Sequence, residues 1–353
     1  MKVIDLSHDI AGAYCAQLLA LAGCDVARVD DGVHDERVDE AAWACVNRGK
    51  TTVRAEGREH LVELLAGADA LVEDRGPGGI EAIGLDEATL RPRNPNLIIT
   101  RVSEFGQSGP WSGWSGSELV NLAAGGMLFL TGSWDRPPVQ LAPYQAQLTT
   151  GLLAAVATAA ALYGGAGVTI DASKQESVLA LVNPAVTEFA YSGTIPAREG
   201  KVAAMPRIEL SKDGWVYAGP GAAATADYET FSRFLELPEL AEERFATPEG
   251  RMANWEEHQR LVLPRLKERT TEEWLERAEE WRLTFGPVET ALELLEDDVL
   301  NERGFFADMP MAAGTTRAPL APYLVDGARP DAFAASRHAD MSDENTGDDH
   351  GTA

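Results

Sequence analysis

The sequence predicts an α/β protein: a doubly wound, mainly parallel, Rossmann-like sheet, followed by a smaller α+β domain. Three observations predict it. Over about the first 170 residues, short runs rich in Val, Ile and Leu alternate with helical patterns, which favours a parallel sheet with helices on its faces. Near Ala203 the Ala/Gly/Leu mixture gives way to Glu, Arg and Trp. The 353 residues also suffice for about two domains at the usual ~100–200 residues each.

Strand-like runs occupy 2–6, 25–29, 70–73 and 97–102. An apolar helix over 14–21 ends at Gly23, and 61–65 and 85–90 supply further crossovers. A Gly/Trp-rich loop, 106–116, precedes a helix starting near Ser117, whose hydroxyl suits an N-cap. Residues 145–163 form a long, nearly uncharged helix, predicted to be buried because it is apolar all round. Its most apolar stretch, 152–163, is too short to span a bilayer, so no membrane partner is expected. Beyond 203, a strand at 215–218 and amphipathic helices at 228–235, 255–266, 271–280 and 290–297 build the second unit. The expected domains are 1–200, completed by about 300–328, and 203–298, with an acidic, disordered tail at 329–353.

The formal charge of −26 opposes nucleic acid, whose phosphates call for clustered Lys and Arg. It does not exclude a phosphorylated ligand, for which a few local cations and backbone N–H groups suffice. Cys15, Cys24 and Cys45 are odd in number and lack C-x-x-C spacing. With Met-Lys-Val-Ile-Asp-Leu running straight into a strand, they point to reduced thiols and a cytoplasmic location.

Generic motifs are missing: there is no H-E-x-x-H and no Walker loop, and Gly113-Trp-Ser-Gly-Ser lacks the last glycine of a nucleophile elbow. The six histidines are scattered; His60 and His258 read as solvated or core residues, and no metal site is expected. Gly76-Pro-Gly-Gly follows a strand and opens a helix. It suits a phosphate, or equally a turn that needs positive φ. Gly219-Pro-Gly is a weaker signal of the same kind.

Ile4-Asp-Leu-Ser-His-Asp-Ile-Ala-Gly, Asn47-Arg-Gly-Lys-Thr and Ala68-Asp-Ala-Leu-Val-Glu-Asp-Arg-Gly-Pro-Gly occur in that order. Asn94-Pro-Asn-Leu-Ile, Phe105-Gly-Gln-Ser-Gly-Pro, Thr131-Gly-Ser-Trp-Asp-Arg-Pro-Pro and Ile170-Asp-Ala-Ser follow. Asp213-Gly-Trp-Val, Arg244-Phe-Ala-Thr, Gly286-Pro-Val and Glu302-Arg-Gly-Phe-Phe complete the series. Together they resemble family III CoA-transferases, the group of formyl-CoA transferase, carnitine CoA-transferase and α-methylacyl-CoA racemase, over about residues 1–325. The resemblance implies an interlocked dimer. It also implies no permanently bound cofactor, with a coenzyme A thioester as substrate beside a carboxylic acid.

In transferring members of that family an aspartate attacks the thioester, because a carboxylate serves as nucleophile and then as leaving group. That aspartate lies four residues before the glycine of a long helix. Here the glycine is Gly151 and the position holds Gln147, with neither Gln145 nor Thr149 a carboxylate. Gln147 is then either a remnant that hydrogen-bonds in a polar pocket or an amide that polarises a thioester carbonyl. Glu118 matches a glutamate near the family's active site, and it also suits the dipole of its own helix. The racemase branch has a histidine and an aspartate where Ser117 and Gln147 stand, which removes both partners of proton abstraction and return.

For coenzyme A, the resemblance points to the backbone at Ile10 and Ala11, the Lys50 amine and the Asp74-Arg75-Gly76 turn. Lys50 and Arg75 suit phosphates, or equally a solvated surface. Several features depart from the family pattern. Asp31 and Ala82 replace arginines, 193–206 is short for the usual glycine loop, and the tail lacks the usual Leu-Gly-x-His-Thr string and final helix. Three functions remain open: the non-nucleophilic subunit of a heterodimer with a paralogous subunit, a self-sufficient homodimeric enzyme using Glu118, and a non-catalytic acyl-CoA-binding protein.

Overall fold

The computed structural model describes residues 1–32, 38–133, 135–196, 198, 207–219, 228–311 and 314–330. Two units divide them. The first holds the described residues of Met1–Gly132, Arg136–Arg198 and Gly304–Ala353; the second holds those of Ser133–Asp135 and Glu199–Arg303.

The first unit runs β1 (Lys2–Asp5), α1 (Ile10–Leu21), β2 (Asp25–Asp30), α2 (Glu40–Val46), β3 (Thr51–Arg54) and α3 (Arg58–Ala66). It continues with β4 (Ala70–Glu73), α4 (Gly79–Ala82), α5 (Glu87–Leu90), β5 (Ile98–Ser103), α6 (Glu118–Ala124) and α7 (Met127–Leu130). Then come α8 (Gln145–Gly164), β6 (Thr169–Ser173), α9 (Lys174–Leu181) and α10 (Asn183–Ser192). All six strands are parallel, in the order β3-β2-β1-β4-β5-β6.

Side chains alternate across the sheet, so each strand feeds two cores. Ile4, Val29, Leu71 and Ile99 pack with Val62 and Leu65 of α3. Val3, Val26, Ala70 and Ile98 pack on the opposite face with Ala11, Cys15 and Leu19 of α1 and Ala154 of α8. The expected doubly wound α/β fold is what forms. Edge strands β3 and β6 were not predicted, because Thr-Thr-Val-Arg and Thr-Ile-Asp-Ala-Ser are too polar to read as apolar runs. Cys15 is buried, Cys24 and Cys45 are half-buried, and all three thiols are free.

Helix α1 begins at Ile10, earlier than its apolar run, because the Asp9 carboxylate caps the Ile10 N–H. Helix α8 departs from expectation in its surroundings. Its twenty residues meet the length and composition of a membrane span, yet Ala146, Thr150, Gly151, Ala154, Ala155 and Thr158 are buried within the unit. Leu152, Leu153, Val156 and Tyr163 on α8 are exposed. Only one face of α8 is therefore core in the single chain. Gly151 is needed at the α1 crossing: a Cβ there would lie 2.6 Å from the Ala11 carbonyl oxygen.

The second unit contains β7 (Arg207–Leu210), β8 (Trp215–Gly219), α11 (Tyr228–Leu235), α12 (Glu243–Ala246) and α13 (Pro248–Ala253). It ends with α14 (Trp255–Leu266), α15 (Thr271–Trp281), β9 (Thr284–Pro287), α16 (Ala291–Glu296) and α17 (Asp298–Glu302). The three strands are antiparallel, and Phe234, Phe245, Leu266 and Trp274 form the core. The helix expected over 290–297 forms as α16; Asp297, turning extended, ends it and caps the Leu300 N–H of α17. His258 is a buried residue bonded to the Tyr228 hydroxyl. In the first unit, β10 (Phe306–Met311) pairs antiparallel with β11 (Gly314–Pro319). Past them Arg329, expected in the tail, donates to the carbonyls of Gly304 and Ala321; 331–353 lie outside the described residues.

Candidate active site

Strand order reverses between β1 and β4, and the carboxyl ends of such strands open the crevice where doubly wound folds take ligands. The segments there are Ser7–Ile10 after β1, Asp31 after β2 and the Asp74–Gly79 turn after β4. The buried Asp74 carboxylate stitches two of them together, accepting the His8 N–H at 2.7 Å and the Asp9 N–H at 3.0 Å. Burial, then repulsion from Asp9, pushes its pKa up to about 8. Glycine is required at position 12, where a Cβ would meet Ser7 Oγ at 2.3 Å and Asp74 Oδ2 at 2.7 Å.

The residues expected to touch coenzyme A fare differently. Ile10, Ala11, Asp74, Arg75 and Gly76 all lie at this crevice, but the Ile10 N–H is already donated to Asp9 at 2.7 Å. Gly76 and Gly78 adopt φ of 76° and 77°, so the turn needs its glycines for backbone reasons, and α4 behind it is only four residues long. Lys50 departs from the expectation of a phosphate-facing amine. Its ammonium is buried and its three N–H groups go to Asp5 Oδ2 (2.7 Å), the Ala13 carbonyl (2.8 Å) and Asn47 Oδ1 (2.9 Å). Lys50 neutralises the fully buried Asp5 and pins β1 to the chain entering β3. Burial lowers its pKa, with Asp5 opposing.

The second cluster is built on α6 and α8. Ser117 caps α6, as expected, through the Val120 N–H, and Glu118 is its first residue. The Glu118 carboxylate reaches a different helix from its own: Oε1 accepts the Ala146 N–H at 2.9 Å, and the Gln145 and Gln147 N–H groups also face it. It thus does the capping that Tyr144 cannot, since Tyr144 stands at the N-cap with φ 65° and its side chain makes no capping bond, accepting the Asp39 N–H instead. Burial raises the Glu118 pKa, and those N–H groups and Lys174 partly offset it. Glu118 Oε2 and Gln147 Oε1 are both buried without a hydrogen-bond partner. The two residues singled out for chemistry therefore meet at the start of α8.

Lys174, which sequence reasoning missed, joins the clusters. It donates to Asp9 Oδ2 at the crevice and to Glu104 Oε1 at the end of β5, both at 2.7 Å. Glu104 in turn accepts the Asn121 amide, one turn along α6 from Glu118; the fully buried Asn121 Oδ1 has no partner. Burial opposes the Lys174 charge, yet Asp9 and Glu104 outweigh it and hold its pKa above the usual lysine value. The only sequence signal was position: Glu104 and Lys174 each directly follow a strand.

A family model for CoA-transferase family III matches residues 1–335. The chain is 29% identical to a succinyl-CoA–D-citramalate CoA-transferase of Chloroflexus aurantiacus, over 84% of this chain and 79% of that protein. It is 29% identical to a succinyl-CoA–L-malate CoA-transferase alpha subunit from the same organism, over 87% and 73%. Among solved structures, a CAIB/BAIF family protein from Brucella suis superposes with a TM-score of 0.83 at 28% identity, over 94% of this chain and 93% of that one. Fold, crevice and full-length similarity agree: this chain belongs to CoA-transferase family III.

Proposed function

We propose that the chain binds an acyl-CoA in the β1/β4 crevice and takes part, in the cytoplasm, in CoA transfer between carboxylic acids as the non-nucleophilic subunit of a heteromer. The observation that carries this is Gln147. Its amide stands where the family's acid is expected and cannot form an anhydride that turns over; its buried Oε1 has no partner. Succinyl-CoA in the names of relatives supports dicarboxylic acids as the acyl class, and the alpha-subunit relative supports a heteromer. A partner chain is further supported by the exposed apolar side chains Leu152, Leu153 and Val156 on α8 and Phe189 and Tyr191 on α10.

One observation favours a second reading, a homodimer that turns over alone. Glu118 Oε2 is a buried carboxylate oxygen with no partner, beside N–H groups able to steady negative charge. Attack by that oxygen on a thioester carbon would form a mixed anhydride and release the CoA thiolate. Incubating the purified chain with succinyl-CoA and a dicarboxylic acid, with and without a paralogous subunit, separates the readings. Transfer only with the paralogue, and no acyl adduct on this chain by mass spectrometry, supports the heteromer. Turnover alone with an adduct on Glu118 overturns it. Binding of CoA with no transfer in any assembly would mark a non-catalytic acyl-CoA-binding protein.

A further inference from the structure

The carboxyl ends of three neighbouring strands put a small ionic cluster across the crevice: Asp31 after β2, His8 after β1 and Arg75 after β4. Arg75 Nη2 donates to Asp31 Oδ2 at 2.5 Å and lies 2.9 Å from His8 Nε2, which is itself 3.1 Å from Asp31 Oδ2. The base of the arginine is fixed. Its backbone N–H goes to Glu73 Oε2 at 2.8 Å, and Gly79 approaches so closely that a Cβ there would sit 2.4 Å from Arg75 Cβ.

We infer that Asp31 is a competing internal anion, holding the Arg75 guanidinium that a phosphate of the thioester carrier would otherwise engage. This inference rests on the reading of the crevice as the acyl-CoA site.

Two observations favour a displaceable carboxylate over a structural one. Of the Arg75 fork, Asp31 engages Nη2, while Arg75 Nε is buried with no partner. A phosphate, offering two oxygens to one edge of the fork, satisfies both Nε and Nη2. Burial then ranks the neighbouring pairs. Side-chain exposure is 1% and 0% for Lys50–Asp5 and 9% and 0% for Arg101–Glu73, but 15% and 30% for Arg75–Asp31. Opening either buried pair would strand an ion away from water, whereas the Arg75–Asp31 pair already meets solvent, so both ions can be hydrated when they part.

The test is calorimetric titration of the full chain with coenzyme A and, as the phosphate-free control, pantetheine. Wild type, Asp31→Asn, Asp31→Ser and the double variant Asp31→Asn/Arg75→Gln are compared, with thermal melting to verify folding. Both single variants are expected to bind coenzyme A about fivefold more tightly, the size of one partly exposed ion pair. Pantetheine affinity stays unchanged, and the gain disappears in the double variant. Equal or weaker coenzyme A binding by both Asp31 variants overturns the inference alone, as does a gain that survives loss of Arg75. Failure of every protein, wild type included, to bind coenzyme A overturns the crevice reading and the inference with it.

Discussion

Burial and the neighbouring Asp9 carboxylate favour the protonated form of Asp74, and the two backbone N–H groups it accepts offset this only in part. Its folded pKa of about 8 lies above the ordinary 3.8. Between those values the unfolded chain has released a proton that the folded chain keeps, so this group's contribution to stability falls as pH rises and levels off above the window. Asp74→Asn removes the titration while keeping one acceptor oxygen. Its melting temperature relative to wild type is expected to improve from about pH 5 to about pH 8; a constant difference would contradict the assignment. Little of this was visible in the strand-turn string that first drew attention to Asp74. Lys50 shows the same limit: the resemblance implied a phosphate-facing amine, and only the fold shows that the buried Asp5 already holds it.

At the scale of elements, the crossing of α1 and α8 sets where Gln147 stands, and Gly151 permits the crossing. Gly151→Ala puts a methyl group 2.6 Å from a backbone oxygen that cannot yield cheaply. A loss of about 2 kcal/mol in urea unfolding is expected, as for an overpacked core. Lys174→Met leaves Asp9 and Glu104 without their shared cation and is expected to cost about 3 kcal/mol by the same measurement. The central strands were legible because both faces of β1, β4 and β5 are covered and each carries a run of adjacent apolar residues: Val3-Ile4, Ala70-Leu71-Val72 and Ile98-Ile99. Edge strands β3 and β6 were not, since one flank meets solvent and polar residues intervene. Ser117 was legible as a cap because its partner is three residues away. Glu118 capping α8 was not, because its partner is 28 residues away and depends on the fold.

For the molecule as a whole, −26 formal charges repel one another, and the repulsion weakens as salt shortens the Debye length. The melting temperature is expected to rise by about 5 °C between ~0.1 M and ~1 M salt. No rise would mean the carboxylates are already compensated. The half-covered α8 is the other whole-molecule feature, and it reverses the expectation of a helix buried all round. For the proposed assembly with a partner chain, Val156→Glu, on the exposed apolar face, is expected to shift the sedimentation coefficient towards the monomer without lowering the melting temperature of the isolated chain. These surfaces serve one idea, that the chain shapes an acyl-CoA pocket but holds an amide where the acyl group is taken up. The most direct measurement is the initial rate of CoA transfer by Gln147→Asp against wild type, each without any other subunit and with coenzyme A binding verified. The account predicts a gain of about 100-fold or more, with a labelled acyl group trapped on residue 147. Wild type transferring as fast as the variant would contradict it.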